Sequence, residues 1–261
     1  MAQMGTSYEN MIIVVGNYVE RLISKYTYWN RTFGADHFFV TCHDVGVRAT
    51  EGLPLLVKNS IRVVCSPSYN VSFIPHKDVA MPQVLRPFAF PRGGNDVENR
   101  TSLGFWAGHR NSKIRVILAR VWENDTELYV LNNRIDRSIG HLLYQKRFYI
   151  SKYCICLAGS QVNSARISDS IHSGCIPVLF CSTIYKFGTS LPSLMKISES
   201  DVHWLKQILK DITDEEFRAL HRNLVKVQKH FQWNSPPIKY DAFHMVMYCG
   251  TRSQIIHHVD D

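Results

Sequence analysis

The chain has 261 residues, 45% of them hydrophobic and 20% charged, which excludes an intrinsically disordered protein and suffices for one large domain or two lobes with a real core. Its net charge of +8 and pI near 9.1 favour an anionic partner: a nucleotide, an acidic polysaccharide, nucleic acid or a membrane surface. The longest apolar run near the start, residues 11–15, is far short of a spanning helix, and no charged-then-apolar signal peptide is present.

Taken in chain order, residues 37–42 (HFFVTC) are predicted as a buried strand ending at the polar pair His43-Asp44, and residues 61–65 as a second strand. A proline-rich passage follows, and the glycine- and asparagine-rich stretch 92–96 reads as a linker between two halves. Beyond it, residues 103–107 form a predicted strand ending at Gly108. Residues 114–121 form a helix with Ile114, Ile117, Leu118 and Val121 on one side, and 128–131 another strand. The segment 148–156 includes a further strand ending at Ala158-Gly159. In SQVNSARISDSIHSGCIPVLF, residues 160–180, a helix carries Arg166 and Asp169 on one face, three positions apart, before an apolar strand at 178–180. The C-terminal part is helical: Ser198-x-x-Asp201 and Thr213-x-x-Glu216 have capping-box spacing. After the second, Phe217, Leu220, Leu224, Val227 and Phe231 form a core-facing stripe, and Asp241 caps a last helix through Met247. This alternation of strands and helices predicts an α/β fold with a mostly parallel sheet.

Seven cysteines include no C-x-x-C pair. Cys154, Cys156, Cys175 and Cys181 lie in apolar runs and read as buried free thiols, and no disulfide framework can be read from the spacing. Four N-glycosylation sequons, at Asn30, Asn70, Asn99 and Asn124, point to a secretory lumen. Between Arg100 and Lys152 stand ten Lys/Arg against four acids, most of the net charge. With no zinc-finger spacing, arginine-rich tract or aromatic-interleaved repeat there, a nucleic-acid partner is not expected.

Ligands of open α/β sheets bind beyond the carboxyl ends of the strands. Three predicted strand ends bring polar residues to that edge: Gly108-His109-Arg110, Gly159-Ser160 leading to Arg166, and Cys181-Ser182. Arg115 and Arg166, each near the start of a helix, suit a diphosphate leaving with growing negative charge. Asp169 is placed to accept the two hydroxyls of a ribose. The alternative for Arg166 and Asp169 is a surface ion pair.

CHDVG at 42–46, PHKDVAMP at 75–82, FWAGHRNSKIRVILARVW at 105–122, SKYCICLAGSQVNSARISDSIHSGCIPV at 151–178 and KHFQWNSPPIKYDAFHMV at 229–246 resemble, in this order, the plant exostosin-like proteins of glycosyltransferase family 47. The resemblance implies a GT-B architecture of two Rossmann-like lobes: a partial, acceptor-side lobe over 1–92, and a nucleotide-sugar lobe with C-terminal helices over 93–261. It implies an inverting transfer from a nucleotide-sugar donor, usually UDP-linked, to a cell-wall polysaccharide or related glycan. The setting is the lumenal side of the Golgi membrane, with other Golgi glycosyltransferases as candidate partners and no metal or other cofactor. Carried over as donor-binding positions are Arg115, Arg166 and Asp169, the last standing where most members have glutamate; Gly108, His109, Arg110, Gly159, Ser160 and Ser164, from the strand ends and the approach to Arg166, complete the expected donor site. His43 or Asp44 is the general base by the same resemblance, or the pair merely orients a loop. The family's anchor, stem and first strands are expected upstream of residue 1, and residues 181–197 lack its usual cleft passage. The alternative function is a truncated, non-catalytic relative that binds glycan or a partner transferase.

Overall fold

The computed structural model describes residues 7–42, 46–65, 67, 73–83, 93, 94, 96–132, 140–157, 165–180 and 194–257. The chain forms two units, Pro82–Ala242 and the combination of Met1–Met81 with Phe243–Asp261.

In the first unit, α1 (Tyr8–Lys25) starts at Ser7, whose hydroxyl accepts from the Asn10 N–H. It buries none of its residues. A parallel sheet follows in the order β1 (Phe38–Thr41), β2 (Ile61–Val64) and β3 (Val79–Ala80), with short helices α2 (Gly46–Ala49) and α3 (Pro54–Asn59) between β1 and β2. β2 is wholly buried, as its apolar run requires. The strand expected at 37–42 is there, but on the sheet's edge with Phe38 and Val40 more than half exposed. Its alternation of outward and inward residues shows one open face. The buried Arg62 of β2 would be costly alone, and Asp78 meets it at 2.8 Å. Lys77, whose ammonium is pushed down by burial, donates to the Ser60 carbonyl and to Asp78. The charged run of 75–79 is thus an internal brace.

In the second unit, five parallel strands stand in the order β5-β4-β6-β7-β8: β4 (Ser102–Ala107), β5 (Leu128–Leu131), β6 (Ser151–Cys156), β7 (Ile176–Phe180) and β8 (Met195–Ile197). Helices cover both faces, as an all-parallel sheet demands: α4 (Lys113–Trp122), α5 (Gly140–Ile150), α6 (Ala165–His172), α7 (Leu205–Lys210) and α8 (Asp214–Val227). The larger core gathers Trp106, Leu118, Ile155, Val178, Phe217 and Leu224. The smaller holds Phe105, Phe148, Cys154 and Cys175. Neighbours Phe105 and Trp106 serve opposite faces because side chains alternate along a strand. Both units are therefore α/β with parallel sheets, the Rossmann-like type of a GT-B protein.

The capping box at Thr213 and Glu216 forms with both bonds in place, and the α8 stripe packs into the core. At Ser198 the hydroxyl caps a 3-10 turn through Ser200 instead of building a box with Asp201. The last helix, α9 (Ala242–His257), is longer than expected. Gly93 and Gly94 of the expected linker are stitched into the second unit. Arg100, fully buried, donates to the carbonyls of Gly94, Phe148, Ser151 and Ser173, and Gln228 donates to those of Gly93 and Ile171. Gly94 has φ of +46°, and a Cβ there would run into the Ser173 carbonyl.

The cysteine expectation is corrected. Cys42 bonds Cys65 and Cys154 bonds Cys175. Thr41 faces Val64 across β1 and β2, so the next residues on each strand, both cysteines, meet. Adjacent strands β6 and β7 likewise bring together residues 21 apart. Cys156 remains a buried free thiol and Cys249 an exposed one, while Cys181 lies outside the described residues. Among the described residues no helix is long and apolar enough to cross a membrane.

Candidate functional site

In the second unit the chain leaves β4 through α4 toward β5 on one side, and leaves β6 through α6 toward β7 on the other. The carboxyl ends of β4 and β6 therefore flank the point where the strand order reverses, the place where open α/β sheets leave a crevice.

Two guanidinium groups cross this point. Arg166, from the first turn of α6, donates through Nη2 to the Ala107 carbonyl at the end of β4. Arg115, from the first turn of α4, donates through Nη2 to the Leu157 carbonyl just past β6, at 3.0 Å, and through Nη1 to Asn111 Oδ1 at 3.0 Å. Each arginine comes from the helix after one strand and bonds the end of the other. The Arg166 guanidinium also stands over the rings of Trp106 and Tyr144, at 6.0 and 5.8 Å. Its Nη1 is buried and has no hydrogen-bond partner among the described residues. A buried guanidinium N–H left open is a position that an anionic ligand can complete. A Cβ at Gly108 would stand 3.2 Å from the Trp106 ring, so glycine gives this packing room.

Asp169 lies one turn along α6 on the same face. The Tyr144 hydroxyl donates to it, and Arg166 is its neighbouring cation. Loss of solvation nonetheless dominates and pushes its carboxyl up to about 7, against the pull of Arg166 and Tyr144. Burial pushes the Tyr144 phenol up to about 12, with Arg166, Asp169, Cys156 and Arg115 all acting on it electrostatically. The same cause raises the Cys156 thiol to about 11, and its sulfur contacts Ser170 Oγ at 3.6 Å. Arg115 and Arg166 thus meet at the carboxyl ends of β4 and β6, and both of them and Asp169 act electrostatically on Tyr144.

Other expected positions fall differently. Arg110 is exposed and spent on Glu123 at 2.5 Å, away from the crossing, and Arg100 is internal. His109 is exposed, and it is its carbonyl that lies 3.5 Å from Arg115 Nη1. His43, Asp44, Gly159, Ser160 and Ser164 lie outside the described residues. Trp106, Asn111 and Tyr144 are additions. Trp106 reads as strand core in sequence, and Tyr144 sits on α5, a helix whose clustered apolar residues (Leu142 to Tyr144, Phe148 to Ile150) hide its period.

The chain matches the Exostosin GT47 domain over residues 2–194. Two proteins of Arabidopsis thaliana, each described as a probable glycosyltransferase, are 36% identical over 243 residues and 35% over 241. These alignments take in 90% of this chain and 51% and 46% of the two relatives, so the chain spans about half their length. A probable beta-1,4-xylosyltransferase of the same plant is 28% identical over 264 residues, 88% of this chain and 61% of that protein. The domain match takes in β1 to β7, and the two crossed arginines fall within it; the chain belongs to the Exostosin GT47 domain family.

Proposed function

We propose that the protein is an inverting glycosyltransferase that moves a sugar from a UDP-sugar to a cell-wall polysaccharide or related glycan. The observation that carries this reading is the crossing of Arg115 and Arg166 at the switch point, with Arg166 Nη1 unpartnered among the described residues. In the reaction an acceptor hydroxyl attacks the anomeric carbon from the face opposite the diphosphate. Its proton passes to a base, the bond from the anomeric carbon to the phosphate oxygen breaks, and the diphosphate leaves with the electron pair. Arg115 and Arg166 stabilise that departing charge, and their anchoring to carbonyls orients them beforehand. Asp169 accepts the ribose hydroxyls, with Tyr144 holding its carboxylate. The base is His43 or Asp44 by the family resemblance, and Gly159, Ser160 and Ser164 are donor-binding positions of the sequence that leads to Arg166. The donor groups all lie within 93–261.

Relatives described as a probable glucuronoxylan glucuronosyltransferase and a probable beta-1,4-xylosyltransferase support a polysaccharide acceptor. Two disulfides and four sequons support the Golgi lumen, since disulfides persist in oxidising compartments. Partner Golgi transferases belong to the same reading.

Binding and turnover with a panel of nucleotide-sugars test it. The expected result is a preference for uridine and transfer to a xylan-type oligosaccharide, both weakened in Arg166→Ala. Affinity indifferent to the base and falling steeply with salt would mark a general polyanion binder instead.

A further inference from the structure

Two sequons of the second unit stand on the edge of the sheet away from the donor groups. Asn99-Arg-Thr101 lies in the turn just before β4, and Asn124-Asp-Thr126 in the turn between α4 and β5. Both asparagines and both threonines are exposed. All five strands are parallel, so these turns share the amino edge, whereas Arg115 and Arg166 bond the carboxyl ends of β6 and β4. The six residues of β4 alone separate the two edges by roughly 20 Å.

The local geometry presents each amide outward. Asp125 turns inward: its Oδ1 accepts from the N–H groups of Glu127 and Leu128, at 2.8 and 2.9 Å, and its Oδ2 from Lys206 at 2.7 Å. That fixes the turn and leaves Asn124 on its outer side. Asn99 donates one N–H of Nδ2 to Asp96. A carboxamide nitrogen has two hydrogens, so substitution of one keeps that bond.

We propose that Asn99 and Asn124 are N-glycosylation sites, carrying their glycans on the face opposite the donor crevice. The acceptor Nδ2 attacks the anomeric carbon of an oligosaccharide carried on a lipid diphosphate. A C–N bond forms, the C–O bond to the diphosphate breaks, the lipid diphosphate leaves and Nδ2 gives up one proton. The inference rests on the lumenal setting of the proposed function and adds sites that the sugar-transfer reaction does not use.

The test is to produce the full chain in plant cells through the secretory pathway and treat it with a peptide-N-glycosidase active on plant glycans, in heavy-oxygen water. Labelled aspartate is expected at positions 99 and 124. Asn99→Gln and Asn124→Gln should each remove one glycan's mass, and UDP affinity should stay unchanged. Should a Gln variant fail to fold, Thr101→Ala and Thr126→Ala remove the sequons while keeping the asparagines. A chain recovered with both disulfides formed but unlabelled asparagine at both positions overturns the proposal and leaves the lumenal reading standing. A chain with Cys154 and Cys175 reduced and open to protease outside sealed vesicles fails the lumenal reading first, and the glycan sites with it.

Discussion

Arg166 is set before any ligand arrives, one nitrogen on the Ala107 carbonyl and its guanidinium carbon within 6.0 Å of the Trp106 and Tyr144 ring centres. Holding a rotamer-rich cation in its bound geometry lowers the entropy lost on binding. Charged hydrogen bonds contribute about 1.5–3 kcal/mol each, so Arg166→Ala should weaken UDP binding roughly 10- to 100-fold by calorimetry. Arg166→Lys should rescue little, since one ammonium cannot bond Ala107 and a phosphate with the same fork. Asp169 yields a pH dependence. Its carboxyl stands at about 7 in the fold against 3.8 in a free chain. The folded state therefore holds an extra proton between those values, so this stabilising contribution is present in full below about 4 and is lost as pH climbs through about 7. Asp169→Asn cannot ionise and should melt higher than the parent at pH 8, by roughly 2–4 °C. UDP affinity should tighten more steeply in the parent than in the variant between pH 6 and 8, because the ribose acceptor ionises only in the parent while the ligand's own phosphate ionises in both.

At the scale of elements, the strands at 61–65, 103–107 and 128–131 were legible because apolar runs of that length between turn residues have few other solutions. α8 was legible to its first residue because cap and stripe are local chemistry. α5 was not, and with it went Tyr144, since its apolar residues follow no single face. The disulfides were equally hidden. Cys154 and Cys175 meet only because β6 and β7 are neighbours, which no spacing encodes. Replacing both by alanine should cost about 2–4 kcal/mol in denaturant unfolding. Thr213→Ala, by comparison, should cost about 1 kcal/mol, the ordinary value of a lost N-cap.

At the scale of the whole molecule, part of the net positive charge is used inside the second unit or on its own neighbours. Arg100 serves the interior, Arg110 pairs with Glu123, and Arg147 lies over the Tyr129 ring at 3.7 Å. What the sequence could show of the site was the helix bearing Arg166 and Asp169 and the helix bearing Arg115. That the two arginines cross is a consequence of strand order, which depends on the packing of five strands at once. The chain folded in an oxidising lumen should gain four alkylatable thiols on reduction, read by mass spectrometry. The most direct measurement of the central idea is a double-mutant cycle with Arg115→Ala and Arg166→Ala, titrated with UDP and, separately, with uridine. Each single variant should lose at least tenfold in UDP affinity with non-additive effects in the double, and uridine should bind all four proteins alike. Equal UDP affinity across the cycle, or an equal loss for uridine, would show that the crossed arginines do not hold a diphosphate.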